Sequence, residues 1–336
     1  MIRQVGLAVL VIVAASMLVF AATEATPGSV ARKMLGQFAS QEQVALLTTV
    51  MRLDDPAPVR YLRWAGALIG VAGEPLGEDA AKKLGLSDLR GDRYFGNFGF
   101  SNMYKQPVND VLWDRLGNSA ILAGLSFAII LVLAIGVGIL AGLYPGSLLD
   151  RMLSLVSIIT TSLPQFVWAV FLISIFVMKL GWLPGTAPMQ DSANWSITQQ
   201  LVLPVLTLVL VDFGYVAAMI RTTMAETMSS AFVRAAVLKG LNRRQVIFRH
   251  ALRNAMIAPF TIILLQINYL ITGVVVTEVI FAYPGFGRML LDAALFGDIA
   301  LIQGATLVAV LIAIGTQLLG DIGYMLLDPR IRIART

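Results

Sequence analysis

The chain has no cysteine among its 336 residues, which excludes disulfides, thiolate metal sites and a cysteine nucleophile. It has one histidine, His250, and no Gly-Lys dipeptide, so there is no Walker A loop to hold a nucleotide. Charge is scarce as well. Only 13% of residues are Asp, Glu, Lys or Arg, against about 25% in an ordinary soluble domain, while 57% are hydrophobic. A water-soluble core would not bury that much apolar surface, and the natural solvent is a bilayer. The net charge of +5 does not point to nucleic acid, because the basic residues are not spread over one soluble domain and have no aromatic or zinc-binding context.

Long apolar runs are what the chain does have. A spanning helix needs about 20 mostly apolar residues. The first candidate, Val5 to Ala22, is uncharged behind a short head carrying Arg3. With Ala21 and Ala22 at its end it also fits a cleavable signal peptide, and this segment alone leaves both readings open. Further spans are Ala120 to Leu143, Met152 to Met178, Leu201 to Ile220, Pro259 to Phe281 and about Ile302 to Leu319. Pro164 and Pro204 predict kinks in the third and fourth, since neighbouring groups can re-satisfy the freed carbonyls. Gly138 and Gly142 give a small-xxx-small face that predicts close helix packing. The fold class is an all-α integral membrane protein with about six transmembrane helices.

Orientation follows from the short loops. Between Arg221 and Ala258 stand Arg221, Arg234, Lys239, Arg243, Arg244, Arg249 and Arg253 against one acid, Glu226, so this loop is cytoplasmic. Counting spans outward puts both termini inside, in agreement with Arg3 and with Arg330, Arg332 and Arg335, and the external loops near Asp191 and Asp298 are poor in basic residues. The segment from Thr23 to Arg115 is then external, and a loop that long is largely exempt from the charge rule. Ser40 and Gln43 have capping-box spacing, ahead of a helical face of Val44, Leu47, Val50 and Met51. Pro107 opens a second amphipathic turn through Val108, Val111, Leu112 and Leu116. Both read as helices on the external membrane surface. From Gly70 to Tyr94 the chain is rich in glycine and charge and reads as a solvated excursion.

Inside the basic loop there is a finer pattern than topology or attraction to anionic lipid requires. Ser229 or Ser230 can cap a short helix through Phe232, Val233, Ala236 and Val237, and Gly240 sits where a left-handed residue would end it. Asn242 and Gln245 then have the spacing of a second cap, opening a helix through Val246, Ile247, Leu252 and Ala255 toward Pro259. The predicted object is a helix of about ten residues, roughly 15 Å long, held off the bilayer on the cytoplasmic side.

The run from Phe232 to Pro259, FVRAAVLKGLNRRQVIFRHALRNAMIAP, resembles the cytoplasmic signature loop of binding-protein-dependent ABC importer permeases. The resemblance continues in FAATEATPGS ending at Ser29, GSLLDR at Gly146 to Arg151, SLPQF at Ser162 to Phe166 and KLGWLPG at Lys179 to Gly185. LVLPVLTL at Leu201 to Leu208, EVIFAYPGFGRML at Glu278 to Leu290 and LLDPRIR at Leu326 to Arg332 extend it over nearly the whole chain, in the order of the dipeptide, oligopeptide and nickel branch. The external segment is longer than the family pattern, with the surplus near Val71 to Tyr94.

The resemblance implies a type I importer fold in the bacterial inner membrane, with the first helix retained as an anchor. Residues 1–22 are that anchor, 23–116 the periplasmic segment, 117–325 the permease core with its coupling loop at 221–258, and 326–336 a cytoplasmic tail. The chain would form half a pore with a second, homologous permease subunit. Two cytoplasmic ATPase subunits would carry ATP and magnesium, a periplasmic binding protein would deliver the solute, and this chain itself would hold no cofactor. The coupling helix would seat Phe232, Val233, Arg234, Ala235, Ala236 and Lys239 in an ATPase groove, with Gly240 making the turn and Arg243 and Arg244 following it.

The main rival class, a proton- or sodium-driven transporter, usually needs paired ionisable groups near the midplane. Here Asp212 lies inside the fourth span, while Glu278 and Asp321 fall near span ends, where helix packing or an interfacial role accounts for them. An intramembrane enzyme would need a convergent nucleophile and base; His250 reads as an exposed member of a basic helix. Candidates for a translocation path are Thr160, Thr161, Ser162 and Gln165 around Pro164, and Gln266, Asn268 and Thr272 in the fifth span. Serines and threonines there can equally bond their own backbone. Peptides are the first expectation for the solute, with oligosaccharides and nickel chelates open, because specificity in this architecture rests largely on the binding protein.

Because the chain has no native cysteine, the topology has a clean test. Single cysteines at Ser87 and Ser230 are expected to react with impermeant thiol reagents from opposite sides of the membrane. Labelling of both from outside would contradict the six-span arrangement.

Overall fold

Apolar runs of this length have one open backbone conformation available in a bilayer, the helix, since it satisfies its own N–H and C=O groups. A computed structural model of the chain describes residues 2–25, 31–32, 39–50, 53–71, 95–190 and 194–327, with the side chains at 2–5, 25, 50, 261, 265, 267–273 and 321–327 outside that description. The expected excursion beyond Val71, Met51, the loop at Asp191 and the basic tail therefore lie outside the described residues, as do the side chains of Asn268, Thr272 and Asp321.

In chain order the helices are α1 (Ile2–Ala25), α2 (Gln41–Val50), α3 (Ala57–Leu68), α4 (Val108–Leu143), α5 (Leu148–Ser162), α6 (Gln165–Leu172), α7 (Ile197–Met228), α8 (Ala231–Leu238), α9 (Ile257–Ile280), α10 (Phe286–Phe296) and α11 (Ile299–Leu327). α6 continues as a π-helix over Ile173–Lys179. A two-residue hairpin, β1 (Phe100–Ser101) with β2 (Gln106–Pro107), precedes α4. Among the described residues four stretches are long and apolar enough to cross a membrane, Gly6–Glu24, Val108–Leu143, Ile197–Met228 and Ile299–Gly320, and α5 with α6 and its π-helical continuation makes a fifth if the bent pair counts as one span. α9, with 24 residues, is long enough for the remaining expected span. The protein is a multi-pass membrane protein.

The amphipathic turn after Pro107 leads into the second span, as its position ahead of that span implied, and is continuous with it in the 36-residue α4 instead of lying apart on the membrane surface. Its apolar face is covered, with Val108, Val111 and Leu112 all buried. The third span is not one kinked helix: α5 and α6 meet at 105°. Leu163 precedes a proline, which disfavours helical backbone, and it is extended at φ −103°, ψ 134°. Pro164 therefore stands at the N-cap of α6 instead of inside a helix.

The chain divides into two compact units, residues 1–117 with 289–314, and residues 118–288 with 315–336. In the first, α1 presents Ser16, Phe20 and Glu24, spaced by four, to α3. Ser16 hydrogen-bonds Tyr61 at 2.8 Å, Phe20 packs on Tyr61 and Trp64, and Glu24 pairs with Arg60 at 2.8 Å. Thr23 Oγ1 accepts from Gln303 Nε2 at 2.8 Å. Buried Asp298 caps α11 by accepting from the Leu301 N–H, and it holds the hairpin turn by accepting from Ser101 Oγ at 2.7 Å and the Met103 N–H at 3.0 Å. The expected capping box of α2 is present: Gln43 N–H donates to Ser40 Oγ and Ser40 N–H to Gln43 Oε1.

The second unit is organised around α7. Gly138 and Gly142 let α4 approach it so closely that a Cβ at Gly138 would stand 2.8 Å from Ala217 O, and one at Gly142 2.7 Å from Arg221 O. α5 crosses α7 at Gly214, whose carbonyl accepts from Ser157 Oγ at 2.9 Å. Leu122, Ile130, Leu153, Leu172, Leu203, Leu208, Ile263 and Phe281 belong to the shared core. At the end of α9, Glu278 is fully buried and accepts from Ser119 Oγ and from the Arg288 N–H at 3.0 Å, while Tyr283 OH donates to Asn118 O at 2.7 Å. A Cβ on Gly285 would collide with that carboxylate, so the glycine of the YPGFG turn is there to admit it.

Near the start of α5, Asp150 joins two chain segments. It accepts from the Gly146 N–H at 2.8 Å and from both Nε and Nη2 of Arg221 at 2.6 and 2.7 Å. The Arg221 guanidinium, with the Gly146 N–H, holds the carboxyl below its ordinary range against the opposing effect of burial. A carboxyl lowered in the folded state contributes stability above its unfolded pKa, near 4, and loses it as pH falls through the lowered native value. Arg221→Ala is expected to destabilise the detergent-purified protein by about 1–3 kcal/mol at pH 7. In thermal unfolding the gap from wild type should close as pH falls below about 4; a gap independent of pH would contradict the pairing.

Candidate functional site

The basic loop at 221–258 and the helix break carry the sequence-predicted residues, and both lie in the second unit. In the loop, α8 begins after Ser230, which takes the extended conformation of an N-cap. The expected serine cap is nevertheless absent: Ser229 and Ser230 hydroxyls donate to Glu226 O and Thr227 O at 2.8 and 2.5 Å. They close the end of α7, whose orphan carbonyls lie nearer than the N–H groups of α8.

The other end of α8 is as expected. Gly240 has φ +81°, its N–H donates to Val237 O at 3.0 Å, and the Leu241 N–H donates to Ala236 O at 3.4 Å. That pair of bonds is a Schellman motif, and the left-handed residue it needs is the glycine. Asn242 and Gln245 make the predicted capping box, with Gln245 N–H to Asn242 Oδ1 at 2.8 Å. The segment that follows is not one α-helix. It turns from Arg243–Gln245 into a π-helix at Val246–Ala251 and back at Leu252–Ala255 before Met256 leads into α9, where Pro259 sits in the first turn and costs no hydrogen bond.

α8 divides by face. Val233 and Ala236 are buried against Met224, Val246, Ile247, Ala251 and Ala255, so they hold the helix down. Phe232, Val237 and Leu238 are exposed, Leu238 at 88%, beside the exposed Arg234, Ala235, Lys239 and Gly240. Arg243 and Arg244 are exposed too, and the Arg243 guanidinium lies 5.0 Å over the Tyr144 ring. His250 is half-buried in the π-helix, with its carbonyl accepting from Asn254 Nδ2 at 2.8 Å.

The second site is the break itself. Three hydroxyls before Pro164 turn back onto the backbone of α5. Thr160 and Thr161 donate to Ser157 O at 3.3 and 2.7 Å, and Ser162 donates to Ile158 O at 2.6 Å. Across the break, Trp168 Nε1 reaches Thr160 O at 3.4 Å. These bonds let an interrupted backbone stand within a membrane segment. The opening so formed has a volume of about 500 Å3 and is lined by Thr160, Thr161, Ser162, Leu163, Pro164, Gln165, Val211, Asp212, Tyr215 and Gln266. Five of the seven expected path residues, Thr160, Thr161, Ser162, Gln165 and Gln266, thus meet in one pocket, and the side chains of the other two, Asn268 and Thr272, lie outside the described residues. Gln165 Nε2 also donates to Thr277 Oγ1 at 2.6 Å, and Gln266 hydrogen-bonds Asp212. Sequence reasoning weighed Asp212 only as half of a proton relay and passed over Tyr215. The signal for both was present, since Asp212 and Tyr215 are one helical turn apart. Among the described residues no group of three acidic or histidine side chains could hold a metal ion.

Residues 134–333 match the model of the binding-protein-dependent transport system inner membrane component family, and residues 1–123 match the N-terminal model of the same transport-system membrane components. A probable peptide ABC transporter permease protein of Sinorhizobium fredii is 30% identical over 334 residues, covering 98% of both chains. A putative peptide transport system permease protein of Brucella abortus is 31% identical over 334 residues, and the oligopeptide transport system permease protein AppB of Bacillus subtilis 28% over 334, each again covering 98% of both chains. Among solved structures, one titled as an amino acid ABC transporter with histidines aligns at a TM-score of 0.51 with 14% identity, over 65% of this chain and 94% of that one, a likeness of fold. The chain belongs to the family of binding-protein-dependent transport system inner membrane components and is a permease subunit of an ABC importer.

Proposed function

We propose that the chain forms half of the translocation path of a peptide importer in the bacterial inner membrane, paired with a second, homologous permease. Both termini are cytoplasmic. A periplasmic binding protein delivers the peptide, and two separate ATPase subunits bind ATP and magnesium and do the hydrolysis, while this chain catalyses nothing and holds no cofactor. The peptide assignment is supported by the printed names of relatives that align over 98% of the chain. The energetic assignment is supported by one observation, the shape of α8. A short helix that buries Val233 and Ala236 but exposes Phe232, Val237 and Leu238 is held in place and still unpartnered on its outer face, which suits an apolar groove on an ATPase. Arg234, Lys239, Arg243 and Arg244 ring that face with positive charge.

Gly240 sets the angle of this helix, and space around it is open, since a Cβ there would meet nothing within 4 Å. Only backbone conformation opposes substitution. A β-branched residue at positive φ is strained by about 1–3 kcal/mol, enough to tilt or unwind the elbow without touching a membrane span. Gly240→Val is expected to insert and assemble normally but to lower peptide uptake per ATP hydrolysed several-fold in the reconstituted complex. A mutant whose uptake and coupling ratio both match wild type would refute the docking role.

A further inference from the structure

The pocket at the helix break holds a carboxylate that nothing else in the described structure answers. Asp212 lies near the middle of α7, 15 residues from Ile197 and 16 from Met228, and it is 5% exposed. Its partner is a neutral carboxamide, Gln266, itself 7% exposed. Glu24, Asp55 and Asp150 form ion pairs elsewhere, with Arg60, Arg63 and Arg221. An ionisable group in a membrane segment normally pairs or faces a water-filled path, because hydrocarbon cannot solvate it.

The other wall groups point to the same chemistry. The Thr161 and Ser162 hydroxyls are exposed, yet their protons are committed to Ser157 O and Ile158 O. What they have left for a ligand is acceptor lone pairs. Tyr215, 52% exposed, adds an aromatic ring of the kind that attracts cations. A pocket with a carboxylate, hydroxyl acceptors and an aromatic ring is complementary to a donor-only cation.

We infer that this pocket is a transit site for a primary ammonium group, with Asp212 as the ion-pairing residue, Thr161 and Ser162 as acceptors and Tyr215 as the aromatic wall. The inference rests on the reading of the chain as a peptide permease, in which the ammonium is the free N-terminus that every unmodified peptide carries. It gives the membrane subunit a selectivity of its own, in addition to that of the binding protein.

Two measurements on the assembled transporter separate the site from the substrate reading. In the first, the alkylation rate of Ser162→Cys is followed with ethylammonium or with neutral acetamide. Ethylammonium is expected to slow the reaction at least threefold and acetamide to leave it unchanged, with the protection lost when Asp212→Asn is added. Equal protection by both, or by neither, overturns the ammonium site, and the latter is also the result if a cation of the second permease fills it. In the second, uptake of tri-alanine into proteoliposomes is compared for wild type, Asp212→Asn and Asp212→Glu at saturating binding protein. The expected result is at least a tenfold loss for Asp212→Asn with binding-protein-stimulated ATP hydrolysis retained, and partial recovery for Asp212→Glu. Wild-type uptake in Asp212→Asn overturns the inference. Absence of uptake by wild type itself would overturn the peptide reading instead, leaving the ethylammonium result to decide the site. N-acetyl-tri-lysine amide, whose ammonium groups are all on side chains, tells the two sources apart: protection of Ser162→Cys by tri-alanine alone supports the N-terminus, and protection by the acetylated amide alone overturns it.

Discussion

A backbone interrupted inside a bilayer must find hydrogen-bond partners from the protein, because lipid offers none, and the permease meets that demand between Ser157 and Trp168. Leu163 is extended ahead of Pro164, and α5 and α6 diverge by 105°. The indole of Trp168 takes up Thr160 O at the end of α5, and the hydroxyls of Thr160, Thr161 and Ser162 find their own acceptors on the preceding turn, at Ser157 O and Ile158 O. The same bonds leave room for a polar pocket, so the device that permits the break also creates the site. The closeness of α5 to α7 is the second half of the arrangement. It depends on Gly214, whose missing side chain lets Ser157 reach the α7 backbone. In a membrane, where apolar surface gains nothing by leaving lipid, such small-residue contacts are a main source of helix association.

α7 links the pocket to the basic loop that carries α8. From Asp212 to Met228 it runs unbroken for 16 residues, about 24 Å, and ends in the turn before α8. Along that length it is tied to α4 at Gly142 and Met224 and to the start of α5 through Arg221 and Asp150. A displacement of α8 by a docked ATPase would therefore act on an element that carries one wall of the pocket, and on α5, which carries another. Coupling of this kind requires that the ATPase contact differ between two states of the path, and the proposed docking role assigns that contact to α8.

The spans were legible because length and apolarity are local properties, and so were the capping boxes at Ser40 and Asn242 and the left-handed glycine at Gly240. What was not legible depended on choices between nearby partners. Ser229 and Ser230 could cap α8 or close α7, and only the proximity of Glu226 O and Thr227 O decides it. Pro164 was compatible with a kink or a break, and the run of three hydroxyls before it tips the balance. α3 escaped notice because its face of Arg60, Tyr61 and Trp64 has meaning only against α1. Glu278 looked like a residue at a span end, whereas its hydroxyl donor, Ser119, lies 159 positions away in sequence. Of the seven path candidates, Thr160, Thr161, Ser162, Gln165 and Gln266 meet in the pocket, where Asp212 joins them.

The central claim is that the helix break lines the path and changes with the state of the ATPases. Thr161 is exposed in the pocket, and no native cysteine of this chain competes with a thiol placed there. The deciding measurement is the rate at which a charged, membrane-impermeant methanethiosulfonate modifies Thr161→Cys in the assembled transporter, without nucleotide and again with ATP and vanadate. The account predicts modification in both preparations at rates differing about tenfold or more between the two states. Rates that are equal, or a thiol that fails to react in either state, would contradict it.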